Sequence, residues 1–188
     1  MSASRSGSAD KPAAAARHVI DLANALRRNP ARTGAELAVL LADAGLLPAT
    51  AEAPRALSEP AADRLREAVA RLAAVLRETD AERAATALNC ILAEVAGPPR
   101  LTRHDGTDWH LHVDRADDAE PDERLLASGA HALALLLSER GRAAWGVCGA
   151  HDCTAYYLDA GPGPGRRYCS ATCSSRARVA AHRRRAGR

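Results

Sequence analysis

The sequence predicts a mainly α-helical protein with one small β-hairpin, followed by a zinc-ribbon-like module and a basic helix. Nearly half of the 188 residues are apolar, and most of these are Ala and Leu, which favour helices. Residues that favour strands are scarce, since the chain has no Phe, two Trp and three Tyr. Four of the five cysteines lie close together near the C-terminal end. These observations separate a helical body from a compact cysteine-containing module.

The N-terminal third is predicted to hold a leader and two helices. Residues 1–12 are Ser-rich and polar without the apolar run of a signal peptide, so we expect a disordered leader. Apolar residues at helical spacing then predict a helix over 13–28. Thr33 is suited to cap a second helix that ends at Gly45, and residues 46–57, with two prolines, read as a loop.

Two further helices have clear start signals. Ser58 is expected to cap a helix that reaches about residue 78, with Leu residues on one face. Asp80 is expected to cap the next helix, which we end at Gly97 because the following two prolines cannot continue it. Cys90 lies among apolar residues of this helix and is expected to be a buried small hydrophobe.

The only clear β-signal follows these helices. Residues 100–104 and 107–113 flank Asp105-Gly106, a favoured two-residue hairpin turn. A last helix of the body is predicted over about 121–140, ending at Gly141. We therefore expect an α-rich domain over 13–142, with its hairpin near 100–113, and a second module over 143–188.

The cysteines of the second module have the spacing of a metal site. They follow the pattern Cys148-x4-Cys153-x15-Cys169-x3-Cys173. Two close thiol pairs joined by a loop can surround one tetrahedral zinc ion, and four thiolates leave no open position for catalysis. A disulfide is the alternative for thiols in an oxidising compartment, and a redox pair usually has two intervening residues. We predict one structural zinc ion bound by all four cysteines.

The zinc module is predicted to be a hairpin followed by a helix. Tyr156, Tyr157 and Leu158 form a short strand after the first cysteine pair, and a Gly-Pro turn then reverses the chain. With Trp145 these aromatics are expected to supply the module's own small core. Because so small a module cannot fold on burial alone, zinc binding, worth roughly 10–16 kcal/mol in such sites, is expected to drive its folding.

The C-terminal end is strongly basic. From residue 161 onward there is no acidic residue, and this segment carries eight arginines, so the rest of the chain sums to −5 when the total is +3. Arginine binds phosphate and guanine in bidentate fashion. The predicted nucleic-acid contacts are Arg166, Arg167, Arg176, Arg178, His182, Arg183, Arg184 and Arg185. Duplex DNA is favoured because the helix lacks stacking aromatics, while RNA or a solvated surface helix without a partner are alternatives.

The same residues resemble a known family. The cysteine pairs, Tyr157-Leu158-Asp159 and the run Arg166-Arg167-Tyr168-Cys169-Ser170 are similar to the CGNR zinc finger. The family's Cys-Gly-Asn-Arg stands here as Cys173-Ser-Ser-Arg176, and the second pair has three intervening residues where many members have four. Residues 20–27 resemble the opening helix of the ABATE domain of stress-induced transcription regulators. The resemblance implies a bacterial one-component regulator whose helical domain senses a ligand and changes the DNA affinity of the finger.

Candidate effector-binding residues lie in the first helix. Asn24 is polar within an apolar face and needs a hydrogen-bonding partner, which is either a ligand or a neighbouring backbone, and Arg27 could receive an anionic ligand. His110 and His112 share one strand face but are too few for a metal site, and His131 reads as a core histidine.

Several functions are excluded or left open by the sequence. No nucleophile, base and orienting group come together, so we expect no enzyme. No apolar run is long enough to span a membrane, and we expect a cytoplasmic protein. A homodimer would suit an operator with paired half-sites.

Overall fold

The computed structural model describes residues 10–47, 56–103, 109–116, 119–161 and 165–186. Within these ranges the chain forms helices joined by two short antiparallel hairpins, β1–β2 and β3–β4. The elements in order are α1 Asp10–Arg28, α2 Gly34–Asp43, α3 Glu59–Arg77, α4 Ala81–Val95, β1 Ala96–Thr102, β2 His110–Asp114, α5 Pro121–Arg140, β3 Trp145–Val147, β4 Tyr156–Leu158 and α6 Ala171–Ala186. The predicted fold class, mainly helical with a C-terminal cysteine cluster and a final helix, is confirmed. No helix in the described ranges is long and apolar enough to cross a bilayer.

The core of the body is built around α5. This helix packs against α1, α3 and α4. Leu72, Leu125 and Leu133 are almost completely buried there. A Cβ atom added at Gly129 of α5 would lie 2.9 Å from Val19 Cγ2 and 3.0 Å from Leu72 Cδ1, so the missing side chain lets three helices approach closely.

The predicted helix caps are confirmed. Thr33 forms a complete capping box with Glu36 at the start of α2. Ser58 and Asp80 accept hydrogen bonds from backbone N–H groups in the first turns of α3 and α4. Gly141 ends α5 in the left-handed conformation at φ 62°, which the absence of a side chain makes accessible.

Three predicted boundaries differ from the structure or lie outside it. α1 begins at Asp10, inside the segment predicted as a leader, while residues 1–9 lie outside the described residues. α4 ends at Val95 rather than Gly97, and β1 begins at Ala96 rather than at residue 100, so the two prolines lie within the strand. Because proline has no N–H to donate, the register of β1 against β2 shifts between Ala96 and Arg100. The turn at residues 105–106 lies outside the described residues.

The prediction for Cys90 was wrong, because this thiol is exposed. The buried side of α4 carries Ala84, Leu88, Ile91 and Val95. Cys90 follows Leu88 by two residues, which places it about 200° around the helix at 3.6 residues per turn. Apolar neighbours in sequence therefore did not place it on the apolar face.

The aromatic hairpin belongs to the helical body. Trp145, Tyr156 and Leu158 are buried in the same apolar cluster as the helices. The cysteines form a separate small cluster, in which Tyr168 is the aromatic member. The expectation of a separate aromatic core for the zinc module was therefore wrong: α1 contacts β4 and α3 contacts β3, so the helices cover the hairpin.

Candidate metal centre and nucleic-acid interface

Four thiols from three parts of the chain meet at one point. Cys148 directly follows β3, Cys153 lies shortly before β4, Cys169 precedes α6, and Cys173 lies in the first turn of α6. Their sulfur atoms all lie within 4.8 Å of one another. This is the only such group of metal-binding side chains found in the described part of the chain.

The separations fit a tetrahedral zinc ion. The Sγ of Cys169 lies 3.7 Å from that of Cys153 and 3.6 Å from that of Cys173, and Cys173 and Cys153 are 3.8 Å apart. A tetrahedron with Zn–S bonds of about 2.3 Å has sulfur atoms about 3.8 Å apart along its edges. The four cysteines are thus positioned to bind one zinc ion, as predicted, and they close its coordination shell.

Backbone hydrogen bonds fix the first cysteine pair. Cys148 N–H donates to Ala155 O at 2.8 Å, and Cys153 N–H donates to Ala150 O at 3.2 Å. Asp152, in the turn before Cys153, has a left-handed φ of 59°. The loop before α6 meets this turn where Cys169 N–H donates to Cys148 Sγ at 3.4 Å. An N–H aimed at a sulfur favours the thiolate that zinc requires.

The surroundings shift the pKa values of the two thiols of the second pair in opposite directions. A hydrogen bond from Ser170, assisted by Cys169, lowers the pKa of Cys173 to about 6. Burial, followed by hydrogen bonding with the other thiols, raises the pKa of Cys169 to about 12. Four thiolates this close repel one another, so a cation must compensate their charge. A zinc ion supplies that compensation, and Arg176 adds a guanidinium 3.5 Å from Cys173 Sγ.

α6 presents a cationic surface. Six of the eight predicted nucleic-acid contacts lie on this helix and are exposed: Arg176, Arg178, His182, Arg183, Arg184 and Arg185. The small residues Ala177, Ala180 and Ala181 are half-buried. The long cationic side chains of α6 are therefore more exposed than these three alanines, and their contact with nucleic acid stays a prediction.

Comparisons with known families agree with this arrangement. A family model described as "Putative stress-induced transcription regulator", the ABATE domain, matches residues 11–140. The chain belongs to this family. The CGNR zinc finger matches residues 145–186, a range that contains all four cysteines and α6. A search of the curated proteins found no match.

The two predicted contacts outside α6 differ in their surroundings. Arg167 is exposed, and its carbonyl accepts a hydrogen bond from Gly149 N–H at 2.9 Å. Arg166 is also exposed, but its guanidinium donates to Tyr168 O at 2.9 Å and to Cys169 O at 3.2 Å. Arg166 therefore braces the loop that carries Cys169. A phosphate contact by this side chain would have to share these donors.

The two candidate effector residues of the ABATE domain contact the zinc finger. Asn24 Nδ2 donates to Tyr156 O at 3.0 Å, and Tyr156 N–H donates to Asn24 Oδ1 at 2.9 Å. Arg27 Nη1 donates to Thr154 Oγ1 at 2.9 Å. The neighbouring backbone is thus the partner of Asn24 in the structure. A ligand role for Asn24 stays a prediction, and it would require these bonds to break.

Asp159 is a structural residue that the sequence interpretation missed. It is buried, its Oδ1 accepts from Arg166 N–H at 2.9 Å, and its Oδ2 accepts from Arg142 Nη2 at 2.6 Å. Burial acts to raise the pKa of Asp159, but these two hydrogen bonds outweigh it and leave the pKa below its ordinary value. Its position between an apolar strand and a glycine-rich turn could have marked Asp159 as structural, but no sequence pattern identifies Arg142 and Arg166 as its partners.

The histidines of the ABATE domain do not form a metal group within the described residues. His112 Nδ1 lies 3.2 Å from Asp114 Oδ2, while the side chain of His110 lies outside the described atoms. His131 is half-buried rather than part of the core, and this burial lowers its pKa.

Proposed function

We propose that this chain is a DNA-binding transcriptional regulator in which a structural zinc ion fixes α6 for contact with DNA. The observation that supports the proposal is the exposed cationic surface of α6, which begins at the metal site itself. The family membership supports a role in transcription. Catalysis forms no part of the proposal, because a four-cysteine zinc site has no open position for a substrate.

Duplex DNA is the proposed partner rather than single-stranded RNA. An α-helix fits the major groove of B-DNA, and arginine can bind both phosphates and guanine edges there. No Phe, Tyr or Trp occurs in α6, so unpaired bases could stack only on His182 or on arginine side chains, which favours the duplex. An RNA-binding or protein-binding adaptor is the alternative, and binding measurements separate it from the proposal.

The test is a salt titration with the full-length, zinc-loaded chain and random-sequence duplex DNA. Affinity is expected to fall steeply with salt, by about 0.9 log units per log unit of salt for each phosphate contacted. Replacing Arg183 and Arg185 with Gln should reduce the slope by about 1.8 if each contacts a phosphate. The matched control replaces Arg17 and Arg83, exposed arginines of the ABATE domain, and should leave the slope unchanged.

Contrary outcomes of this titration are well defined. A slope near zero, or an equal loss in both double variants, would contradict contact through α6. Tighter binding to single-stranded RNA than to duplex DNA would favour the adaptor. Incubation with supercoiled plasmid should give no cleavage, and nicking by the purified chain would contradict a purely binding function.

We also propose that the ABATE domain responds to a small-molecule effector and that the protein acts in the cytoplasm as a homodimer. The contacts from α1 to the finger support the effector, since a ligand that moved α1 would reach the hairpin beside the zinc site. Small molecules found to raise the melting temperature should also change DNA affinity. Light scattering tests the dimer, for which a monomer at working concentration is the contrary result.

A further inference from the structure

The two halves of the zinc site are attached to the rest of the molecule in different ways. The first cysteine pair lies in the connection between β3 and β4, and the side chains of Trp145, Tyr156 and Leu158 on these strands are buried in the helical core. The second pair lies at the start of α6. Among the described residues, the side-chain hydrogen bonds of Arg176, Arg178 and Arg185 all return to α6 itself. One half of the site is therefore anchored to the ABATE domain, and the other half depends on the metal.

We infer that Asn24 holds Cys148 and Cys153 in position before zinc binds. Bound zinc would then connect α6, through Cys169 and Cys173, to these two prearranged ligands. The helical domain is thus part of the zinc site, although it supplies no ligand. This inference rests on zinc binding by the four cysteines and does not depend on DNA binding.

The side chain of Asn24 takes the place of a neighbouring strand. Its oxygen and nitrogen bond to the N–H and the carbonyl of Tyr156, both at the edge of β4. These are the two backbone groups that an adjacent strand would engage. The preceding residue, Ala155, accepts the N–H of Cys148, so Asn24 acts one residue away from the bond that holds a zinc ligand.

Three more contacts hold the same hairpin. The indole of Trp145 donates to Val75 O and Glu78 O, both at 3.2 Å, at the end of α3. The guanidinium of Arg77 lies 5.6 Å from the ring centre of Tyr156. Arg27 bonds to Thr154, the residue directly after Cys153. Every one of these contacts reaches the first half of the site.

The second half meets the first through a small cluster of the four cysteines, Ala150 and Tyr168, and through hydrogen bonds between the loops. The closest are Gly149 N–H to Arg167 O and Cys169 N–H to Cys148 Sγ, both within the cysteine loops. Asp159, which accepts Arg166 N–H, provides one more link. An isolated helix of 16 residues barely exceeds the length below which helices are marginal in water, and its five arginines repel one another without an acid to pair with. Without zinc, α6 is therefore expected to separate and unfold while the hairpin stays in place.

Hydrogen exchange tests directly whether the hairpin stays folded when α6 loses its zinc. It is measured on the full-length wild-type chain with zinc and after chelation. Chelation is expected to remove the protection of the α6 amides, while the backbone amide of Tyr156 and the indole N–H of Trp145 stay as protected as the core amides of α1–α5. If the hairpin and α6 lose protection together, or if α6 stays protected, the inference is overturned. This measurement needs no substitution, so it holds even if a variant fails to fold.

The role of Asn24 is tested by Asn24→Ala, with Asn89→Ala, an exposed asparagine of α4, as the matched control. Zinc affinity, measured by competition with a chromophoric chelator, should fall at least tenfold in Asn24→Ala only, as for other groups that support metal ligands. Tyr156 amide exchange should rise with or without zinc. Asn24→Asp, which can accept the Tyr156 N–H but cannot donate, should fall between the two. Equal zinc affinity in all three variants would show that Asn24 does not position the site.

Discussion

At the scale of single residues, buried polar side chains connect the helical domain to the finger. Asn24 and the indole of Trp145 bond to backbone 132 and 70 positions away, while buried Asp159 accepts the Arg166 N–H within the finger. A buried polar group without a partner costs about 1–3 kcal/mol. These residues therefore specify one arrangement of the hairpin, because any other would leave them unsatisfied.

Replacing Asp159 with Asn is expected to destabilise the protein at pH 7. The free energy of unfolding should fall by about 1–2 kcal/mol. This is the lower end of the range for hydrogen bonds to a charged group, because Arg142 is half exposed. Since the pKa of Asp159 is lowered on folding, its stabilisation is present above pH 4 and is lost as the pH falls through the folded-state value. Urea unfolding at pH 7 and pH 3 measures both effects.

The exposed Asp21 of α1 offers the matched control. Asp21→Asn should change the free energy of unfolding little at either pH. The gap between wild type and Asp159→Asn should narrow at pH 3, because below its ordinary pKa this carboxyl takes up a proton more readily in the unfolded chain than in the folded one. A gap that is the same at both pH values would show that the charge of Asp159 contributes nothing.

At the scale of elements, close backbone approaches decide how the helices pack. A Cβ atom added at Gly34, the first residue of α2, would lie 2.1 Å from Leu57 O. Leu57 N–H also donates to Gly34 O at 3.2 Å, so the residue before the α3 cap is tied to the start of α2. A backbone atom cannot move away as the end of a side chain can, and only glycine fits there.

Gly34→Ala is therefore expected to destabilise the protein by about 1–3 kcal/mol, as overpacking does. The sign of the stability change is informative, because replacing Gly with Ala at a solvent-exposed helix position stabilises by up to about 1 kcal/mol. Gly161→Ala is the control, because nothing lies within 4 Å of a Cβ atom placed there. Urea unfolding compares the two variants, and a Gly34→Ala protein as stable as wild type would show that α2 shifts freely.

At the scale of the whole molecule, the finger and the ABATE domain share one core. Trp145, Tyr156 and Leu158 are buried against the helices, so the helical domain cannot unfold without exposing them. Zinc binding is expected in turn to stabilise the hairpin that carries them. Charge, unlike the core, is not shared: the arginines are concentrated at the C-terminal end, and the body has an excess of acidic residues. The acidic helical domain and the basic finger therefore differ in charge but fold around the same apolar core.

Zinc is consequently expected to stabilise the helical domain as well as the finger. Free zinc at about 100 times Kd should raise the free energy of unfolding by about 2.7 kcal/mol, provided that the unfolded chain does not bind zinc. Helical circular dichroism during thermal unfolding measures this, because most of its signal comes from α1–α5. A melting temperature that is independent of zinc would show that the two parts unfold separately.

Local signals were sufficient for much of this molecule. Thr33, Ser58 and Asp80 cap helices because a short polar side chain can reach the next turn, which depends only on neighbours in sequence. The spacing of the four cysteines fixed the metal group in the same way, since each pair lies on its own turn. The arginines of α6 are exposed because the helix carries no acidic residue to pair with them and their charged ends favour water.

What only the tertiary structure decided involves contacts between distant residues. Asn24 and Tyr156 are 132 positions apart, and the sequence left the partner of that amide open between a ligand and a backbone. Trp145 was assigned to a core of its own because its helical partners on α3 cannot be read from spacing. The sequence by itself determined the helices, the zinc ligands and the basic end. Only folding determined that the zinc site is built partly on the helical domain, because burial is shared between segments that no local pattern connects.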